Sequence, residues 1–447
     1  MSDILRLPSL TVISVKCKDK YYINAETVKK PSLCPCCGTI SPKLRIQDHK
    51  RQIFHDLRIH GKMVGILVDR KRYLCIECGK TFMEPLPDLD EKRSVTKRLL
   101  EYIQEKAVSD TFKSLADESG ISEATVRRIF HDYFTGRLKG YRPETPRVLG
   151  IDEAHLLHDY RCVLTNIEES CILDMLKNRN KSTVIDYLSR MPHRERVEAV
   201  CMDMWDPYRE AVGYLLPKAK IITDKYHVVR GANKALDDLR KSIGQDMKAG
   251  ERRKLMHSRF LLLKRARNLD KTEQWKLECW LCQQPLLKKA YGLKEEFFDI
   301  FDSRSTKLQA MTRYADWEKA VKADPALYKV FKDLITSMTN WRTEIFNYFD
   351  CFLSNAATES MNSIIKDLNE DGKGYSFAVL RAKVLFYSQA EKTVIEYPTY
   401  NRDDFTVGMM IMENTNYQKR IYGIHIPTLL QYLEMGSNSP DPTRCDG

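Results

Sequence analysis

The sequence predicts an α/β core interrupted by an all-α insertion and preceded by two small modules. Three observations carry that expectation. Two Cys-x-x-Cys pairs, each followed by Gly, fall within the first eighty positions. A helix, a Gly-containing turn and a second helix are written into residues 111–134. From Arg147 onward, short apolar runs alternate with helical stretches, until a long Leu-, Lys-, Arg- and Glu-rich segment intervenes between His227 and Glu359. At 447 residues the chain exceeds one ordinary core, since domains cluster near roughly 100 to 200 residues.

Composition narrows the classes. Lys plus Arg at 73 against Asp plus Glu at 61 leaves +12, which favours a polyanionic partner but is also common in proteins that never meet one. No run approaches the roughly 18 apolar residues that a membrane helix needs, and the start lacks a basic segment before an apolar one, so no membrane partner and a cytoplasmic location are expected. Thirteen cysteines, an odd number spread over a large chain, do not make a secreted disulfide framework; paired cysteines here read as metal ligands in a reducing compartment.

The first module spans PSLCPCCGTISPKLR and RKRYLCIECGKTFME. Gly after each knuckle allows the tight turn that points two sulfurs at one ion, so Cys34, Cys37, Cys75 and Cys78 are the expected ligands. Two thiolate pairs suit tetrahedral Zn2+, and a closed shell implies a structural site. Cys36 is an alternative to Cys37, while His49, His55 and His60 read as surface groups. Strand-like runs such as MVGILVD between the knuckles give a zinc-ribbon reading. A further pair, Cys279 and Cys282, has no second pair nearby and reads as two buried thiols on a helix. In the second module, TFKSLADESGISEATVRRIFHDYF, Ser122 is placed to cap the second helix and Glu123 to favour its dipole. Leu115, Ala116, Ile121, Val126, Ile129 and Phe130 would pack inward, with Thr125, Arg127 and Arg128 turned toward a DNA groove or phosphates. An ordinary helical hairpin with a solvated basic face is the alternative. YRPETPRVLG follows as a Pro-rich linker.

In the core, RVLGIDEAH, YRCVLTNIEES and CILDMLKNR read as three strands. STVIDYLSRM is a helix, RVEAVCMDMW a strand, DPYREAVGYLLP a helix and AKIITDKYHVV a strand. Three strands, helix, strand, helix, strand is the RNase H-like order. Asp152 is expected to end the first strand, Asp203 the fourth and Asp224 the fifth, at the carboxyl edge where open α/β sheets place their sites. Far downstream, Asn355 can cap a helix with an apolar stripe of Met361, Ile364, Ile365 and Leu368, and with Glu359, Asn362, Ser363 and Lys366 on the other face. If that helix packs across the sheet, Glu359 approaches Asp152 and Asp203. Two aspartates and a glutamate suit Mg2+ or Mn2+, and two such ions about 4 Å apart suit in-line displacement at a phosphodiester.

With GIDEAH at Gly150–His155, DMWDPY at Asp203–Tyr208, LPKAKIITDKYHVV ending at Val229, NAATESMNSIIK at Asn355–Lys366, the knuckles and the helix-turn-helix, the chain resembles the ISL-three transposases of bacterial insertion sequences. The resemblance spans most of the chain. It implies a zinc ribbon, a helix-turn-helix and an RNase H-like DDE core that cuts and joins double-stranded DNA at element ends and target, in a homodimer or larger assembly at the nucleoid. The second metal ligand stays open between Asp203 and Asp224; Asp203 is preferred, with Asp152 and Glu359, leaving Asp224 and His227 in support and Asn362 and Lys366 as accessory groups.

The expected organisation is a zinc ribbon over 1–90, helix-turn-helix over 91–140, first part of the core over 141–235, helical insertion over 236–345, core completion over 346–395 and a polar, flexible tail over 396–447. Within the insertion, GERRKLMHSRFLLLKRARN is the most basic run and could track DNA. Trp275, Trp280, Trp317 and Trp341 read as packing residues, with stacking on an unpaired base as the alternative. An inactive relative kept as a DNA-binding regulator, or an RNase H-like nuclease that only hydrolyses, are the rival functions.

Overall fold

The computed structural model describes residues 4–245, 250 and 259–387, with the backbone of 392–394 and 418–420. Two compact units emerge, one from the residues up to Arg142 with a segment beginning at Leu368, the other from Pro143–Asp367 together with part of the C-terminal region.

The first unit is built on strands β1 (Leu10–Cys17), β2 (Tyr21–Thr27), β3 (Leu44–Ile59), β4 (Lys62–Cys75), β5 (Thr81–Met83), β6 (Leu89–Asp90) and β7 (Val95–Thr96). They hydrogen-bond in the order β1-β2-β4-β3-β7-β6, with β5 against β4. The strand-like runs foreseen between the knuckles are one long hairpin, β3 paired antiparallel with β4 and turned at Gly61, where φ is +75°. Alternate positions Val64, Ile66 and Val68 are buried, the period-2 pattern of a sheet with one covered face. Helices α1 (Lys97–Lys106), α2 (Phe112–Ser119) and α3 (Glu123–Gly140) follow. They are tied to the sheet: Asp56, buried, accepts from Thr96 Oγ1 at 2.6 Å and from Arg98 Nε at 2.8 Å. Arg58 donates to the last carbonyls of α2, those of Glu118 and Asp117.

The second unit opens with β8 (Val148–Leu156), β9 (Asp159–Asn166), β10 (Cys171–Leu176), α4 (Lys181–Ser189), β11 (Ala199–Met202), α5 (Asp206–Leu215), β12 (Lys220–Thr223) and α6 (Lys225–Gln245), in the expected order. The sheet runs β10-β9-β8-β11-β12. The first three strands are antiparallel, and β8, β11 and β12 are parallel. One assignment is corrected: β8 does not stop at Asp152 but continues to Leu156, because its hairpin partner β9 pairs with it that far.

The inserted segment is helical: α7 (Arg259–Leu263), α8 (Lys271–Gln283), α9 (Pro285–Asp302), α10 (Lys307–Lys322), α11 (Pro325–Asn340), α12 (Arg342–Phe346) and α13 (Tyr348–Cys351). Its sequence punctuates it well. Asp270 with Glu273 and Thr306 with Gln309 form capping boxes, and Pro285 and Pro325 occupy first-turn positions where their missing N–H costs nothing. Trp317 is buried between Phe297 and Phe331, with ring centroids 4.9 and 5.5 Å away, and its indole donates to Leu293 O at 2.8 Å. Trp341 is also buried, whereas Trp280 is half-buried and Trp275 exposed, so packing does not account for all four. Cys279 and Cys282 do lie on a helix, α8, but both are exposed, so the expected burial is overturned. Their helix buries Leu277 and Leu281 instead, two residues before and one before the respective thiols. Of the basic run at 250–268, residues 251–258 lie outside the described residues, while Arg265 is spent on Glu295 and Asp299 and Arg267 on Asp302.

Helix α14 (Ala356–Gly372) and helix α15 (Phe377–Phe386) complete the described chain apart from two short paired strands, Lys392–Val394 with Gln418–Arg420. The flexible tail foreseen after 396 otherwise falls outside the described residues.

Candidate functional site

The cysteine site is assembled from two turns. Gly38 and Gly79 have φ of +75° and +67°, and each returns its N–H to the carbonyl of the first cysteine of its knuckle, Cys34 or Cys75, at 2.9 Å. That left-handed step is open to Gly at little cost. The Sγ atoms of Cys34, Cys37, Cys75 and Cys78 all lie within 4.8 Å of one another. Cys34 to Cys78 is 3.9 Å and Cys37 to Cys75 is 4.0 Å; a tetrahedron with Zn–S arms of about 2.3 Å has edges of about 3.8 Å. The donor set therefore fits one structural zinc ion. Hydrogen bonds from Thr39 pull the Cys37 thiol down to about 6, toward the thiolate that zinc binds. Cys36 is exposed and outside the cluster, and among the described residues His49, His55 and His60 contribute nothing to it.

In the helix-turn-helix, α2 ends at Gly120 in the left-handed conformation (φ +73°), and Ser122 caps α3 by accepting from Thr125 N at 3.2 Å. Leu115, Val126, Ile129 and Phe130 are buried as expected, Ala116 nearly so, while Ile121 is half-buried. Arg127 and Arg128 are exposed. Thr125 is less outward than foreseen: it is half-buried, its hydroxyl 2.9 Å from Ser122 Oγ. Arg127 pairs with Glu123 at 2.6 Å, one helical turn back. Sequence reading missed Lys383 on α15. It is buried in this unit, donating to the carbonyls of Ala107, Val108 and Asp110, with Phe112, Phe130 and Tyr375 ring centroids 4.9, 5.7 and 4.9 Å from Nζ. Burial pulls its ammonium down to about 7, while the carbonyls and ring faces favour the charge.

The acidic site follows from strand register. Ile151 on β8 pairs level with Met202 on β11, which pairs level with Thr223 on β12. The next residue in each chain is Asp152, Asp203 and Asp224, so three adjacent parallel strands present carboxylates at one level of the sheet's edge. Asp152 and Asp224 are almost fully buried and Asp203 partly so. Directly after Asp224, α6 begins, and its first turn carries His227, with Nδ1 2.9 Å from Asp203 Oδ1 and 3.4 Å from Asp224 Oδ2.

Helix α14 brings the fourth acid. It packs on β8 and β9 through small polar contacts: Thr358 Oγ1 lies 2.6 Å from Thr165 Oγ1, and Asn362 Nδ2 donates to Asp152 Oδ2 at 2.7 Å. Gly150 makes that approach feasible, since a Cβ there would stand 2.3 Å from the Thr165 hydroxyl and 2.5 Å from that of Thr358. One expectation is corrected. Asn355 does not cap the helix with its side chain; its Nδ2 reaches Ile151 O at 3.5 Å and its N–H points to Asp224 at 3.4 Å. Asn362, expected as an accessory group on the face shared with Glu359, is buried like Met361 and Ile365. Ser363 and Lys366 remain exposed, Lys366 two turns beyond Glu359.

The acids repel one another at close quarters. Burial, then Asp203, push Asp152 up to about 7. Burial, then Asp224, raise the half-buried Glu359, against His227 and Arg230. Hydrogen bonds to Asp203 and Asp224 hold His227 up to about 10, making it the site's own cation. Among the described residues, Asp203, Asp224 and His227 offer ligand atoms that all lie within 4.8 Å of one another, a set that fits a metal ion, and Asp152 and Glu359 are coupled to it electrostatically.

The transposase model of the ISL3 group matches residues 149–384, slightly more than half the chain and all four acids. The chain belongs to the ISL3 family of transposases. Models of that family's helix-turn-helix, at residues 84–133, and of the zinc finger of the IS204, IS1001, IS1096 and IS1165 transposases, at residues 30–78, match the two modules in front. Among curated relatives, the transposase of IS1001 from Bordetella parapertussis is 28% identical over 286 residues, 61% of this chain and 69% of that protein. That of IS1557 from Mycobacterium tuberculosis is 24% identical over 258 residues, 51% of this chain and 57% of that protein. As an ISL3 transposase the chain is a DNA-processing enzyme with a DNA-binding front end, and among its described residues no helix is long and apolar enough to cross a membrane. Gly150, Thr165 and Thr358 were invisible as site residues before the fold. Their role is clearance between a helix and a sheet, which no local spacing encodes.

Proposed function

We propose that this ISL3 transposase binds the terminal repeats of its own insertion sequence and carries out metal-dependent cleavage and strand transfer there, as an assembly of two or more copies. The observation that carries the reading is the level row of Asp152, Asp203 and Asp224 with Glu359 laid against it. The sheet order, three antiparallel strands followed by two parallel ones with helices between, supports an RNase H-like core.

In this reading Asp152, Asp203 and Glu359 hold the divalent ions. When bound, such ions lower the pKa of the attacking water or 3′-hydroxyl and stabilise the leaving oxygen. The remaining work belongs to the protein's side chains. Asn362 holds Asp152 Oδ2 while the Glu153 N–H donates to Oδ1 at 2.7 Å, so both oxygens of this carboxylate are oriented before an ion arrives. Asp224, buried beside the backbone of Asn355, shares His227 with Asp203 and so orients the second ligand from the next strand. Lys366, further along α14, is available to a phosphate of the same DNA. Arg127 and Arg128 would touch phosphates or base edges from α3, with Thr125 at the start of that helix.

The decisive experiment is cleavage of labelled DNA carrying the element's ends, with Mg2+ or Mn2+, by wild type and by Asp152→Asn, Asp203→Asn and Asp224→Asn. Cutting at the ends that vanishes in Asp152→Asn and Asp203→Asn, with end binding kept, is the expected result. Loss in Asp224→Asn with activity kept in Asp203→Asn would move the second ligand. Tight end binding without cutting by wild type would replace the enzyme with a regulator.

A further inference from the structure

One feature beside the acids is not used by the reaction just described. Arg179, which follows β10, lies between two aromatic rings, its guanidinium carbon 4.1 Å from the centroid of Tyr160 and 4.5 Å from that of Trp205. Glu153 Oε2 pairs with one guanidinium nitrogen, Nη1, at 2.5 Å. Both rings keep substantial exposure, 43% for Tyr160 and 37% for Trp205. Single exposed aromatics are ordinary; two of them joined through a guanidinium into a column are a built feature, because each cation–π contact orders groups that would otherwise keep their rotamer freedom.

The column is fastened to the acids at two points. Glu153 is the residue after Asp152, and strand alternation turns its side chain to the opposite face of the sheet from that carboxylate. Trp205 follows Asp203 by two residues, and its N–H donates to the Asp203 carbonyl at 2.8 Å, closing a tight turn between the two. Tyr160 stands opposite His155 in the β8–β9 hairpin, with those rings 5.1 Å apart. Exposed Lys177 lies in the same loop as Arg179. Aromatic faces with basic side chains, reached across the sheet edge from Asp152 and two residues past Asp203, match what single-stranded nucleic acid needs: π-surfaces for bases and positive charge for the backbone.

We propose that Trp205, with Arg179 and Tyr160 behind it, is a stacking platform for an unpaired nucleobase of the DNA strand next to the scissile phosphate. The inference rests on the DNA-cleaving reading above. Stacking on an aromatic side chain is worth about 1–3 kcal/mol per base, enough to hold open a frayed base pair at the cut. The platform's role is positioning, since none of its three groups touches the reacting phosphate.

The test uses the full-length protein and two readouts. First, element-end DNA carrying single 5-iodouracils on either side of the cut is irradiated in complex, and the cross-linked peptide is identified by mass spectrometry. Cross-linking to Trp205 or Tyr160 is expected; cross-linking confined to other exposed aromatics, such as Trp275, overturns the platform. Second, Trp205→Ala is expected to cut paired ends roughly ten-fold or more slowly than wild type, with Trp205→Phe in between, and ends mismatched at the flanking pair are expected to restore most of the rate, because unpairing then costs nothing. A variant slowed equally on paired and mismatched ends has a merely structural clamp and refutes the proposal. Should Trp205→Ala fail to fold, Tyr160→Ala takes its place in the same comparison. A cross-link to Trp205 in a wild type that never cuts sinks the cleavage reading and keeps the platform; normal cutting with no cross-link does the reverse.

Discussion

Among the described residues, the cysteine cluster and the acidic cluster are candidate metal sites made in opposite ways. The cysteine site takes soft ligands from two hairpin knuckles, each pair separated by two residues and closed by its own glycine turn. The acidic site gathers carboxylates from three strands and a distant helix, held by register and by the fit of α14 over Gly150. The first closes its shell and serves the fold. The second, crowded with oxygens and answered by His227 and, at Glu359, by Arg230, is suited to an ion that exchanges water and phosphate. A local site tolerates change elsewhere; a site built by packing depends on residues that never touch the ion.

The largest expected effect tests the first half of that contrast. Cys75→Ser should drop bound zinc from one per chain to near zero by elemental analysis and expose β3 and β4 to hydrogen exchange, since structural zinc in small domains supplies on the order of 10 kcal/mol of folding energy. End binding should fall with it, while exchange protection of the β8–β12 sheet stays. A full zinc complement in the variant would break the ligand assignment.

Gly150→Ala comes next and tests the second half. The added methyl meets two hydroxyls on opposite elements, so α14 must shift, at a cost of about 1–3 kcal/mol in stability. Cleavage should fall at least ten-fold with end binding unchanged; a variant that cuts at the wild-type rate would show that the position of Glu359 does not depend on this clearance. Asn362→Ala should follow, with a loss of about 10–100-fold in metal affinity or cleavage and little change in stability, the usual scale for removing a group that orients a ligand. Titration of Mg2+ against cleavage rate separates this from a global defect.

The smallest effect concerns pH. Asp152 is raised to about 7 in the folded protein, so between its ordinary range near 4 and about 7 the folded state holds a proton that the unfolded state has lost. Stability from this group is therefore full below pH 4 and lost as pH rises through 7. Without divalent metal, Asp152→Asn should raise the melting temperature relative to wild type more at pH 8 than at pH 5, and added Mg2+ should stabilise wild type more than the variant at pH 8. Equal gaps at both pH values would contradict the buried, mutually repelling arrangement of the acids.

Much of this was written in the chain. Cys34, Cys37, Cys75 and Cys78 were legible because two-residue spacing with a following glycine fixes geometry within one turn. Ser122 as a cap, and the order of strands and helices from Val148 to Gln245, were legible because periodicity and capping are local. The sequence could also offer Asp152, Asp203, Asp224 and Glu359 as acids near strand ends and on a helix face. It could not place Asp152 inside β8, turn Asn355 away from its helix and toward Ile151, bury Asn362 against Asp152, or expose Cys279 and Cys282. Those outcomes depend on which strand pairs with which, at what register, and on how closely a helix more than a hundred positions downstream can settle on Gly150. Local rules name the groups that can act; long-range packing, which no short window of residues encodes, decides which of them meet.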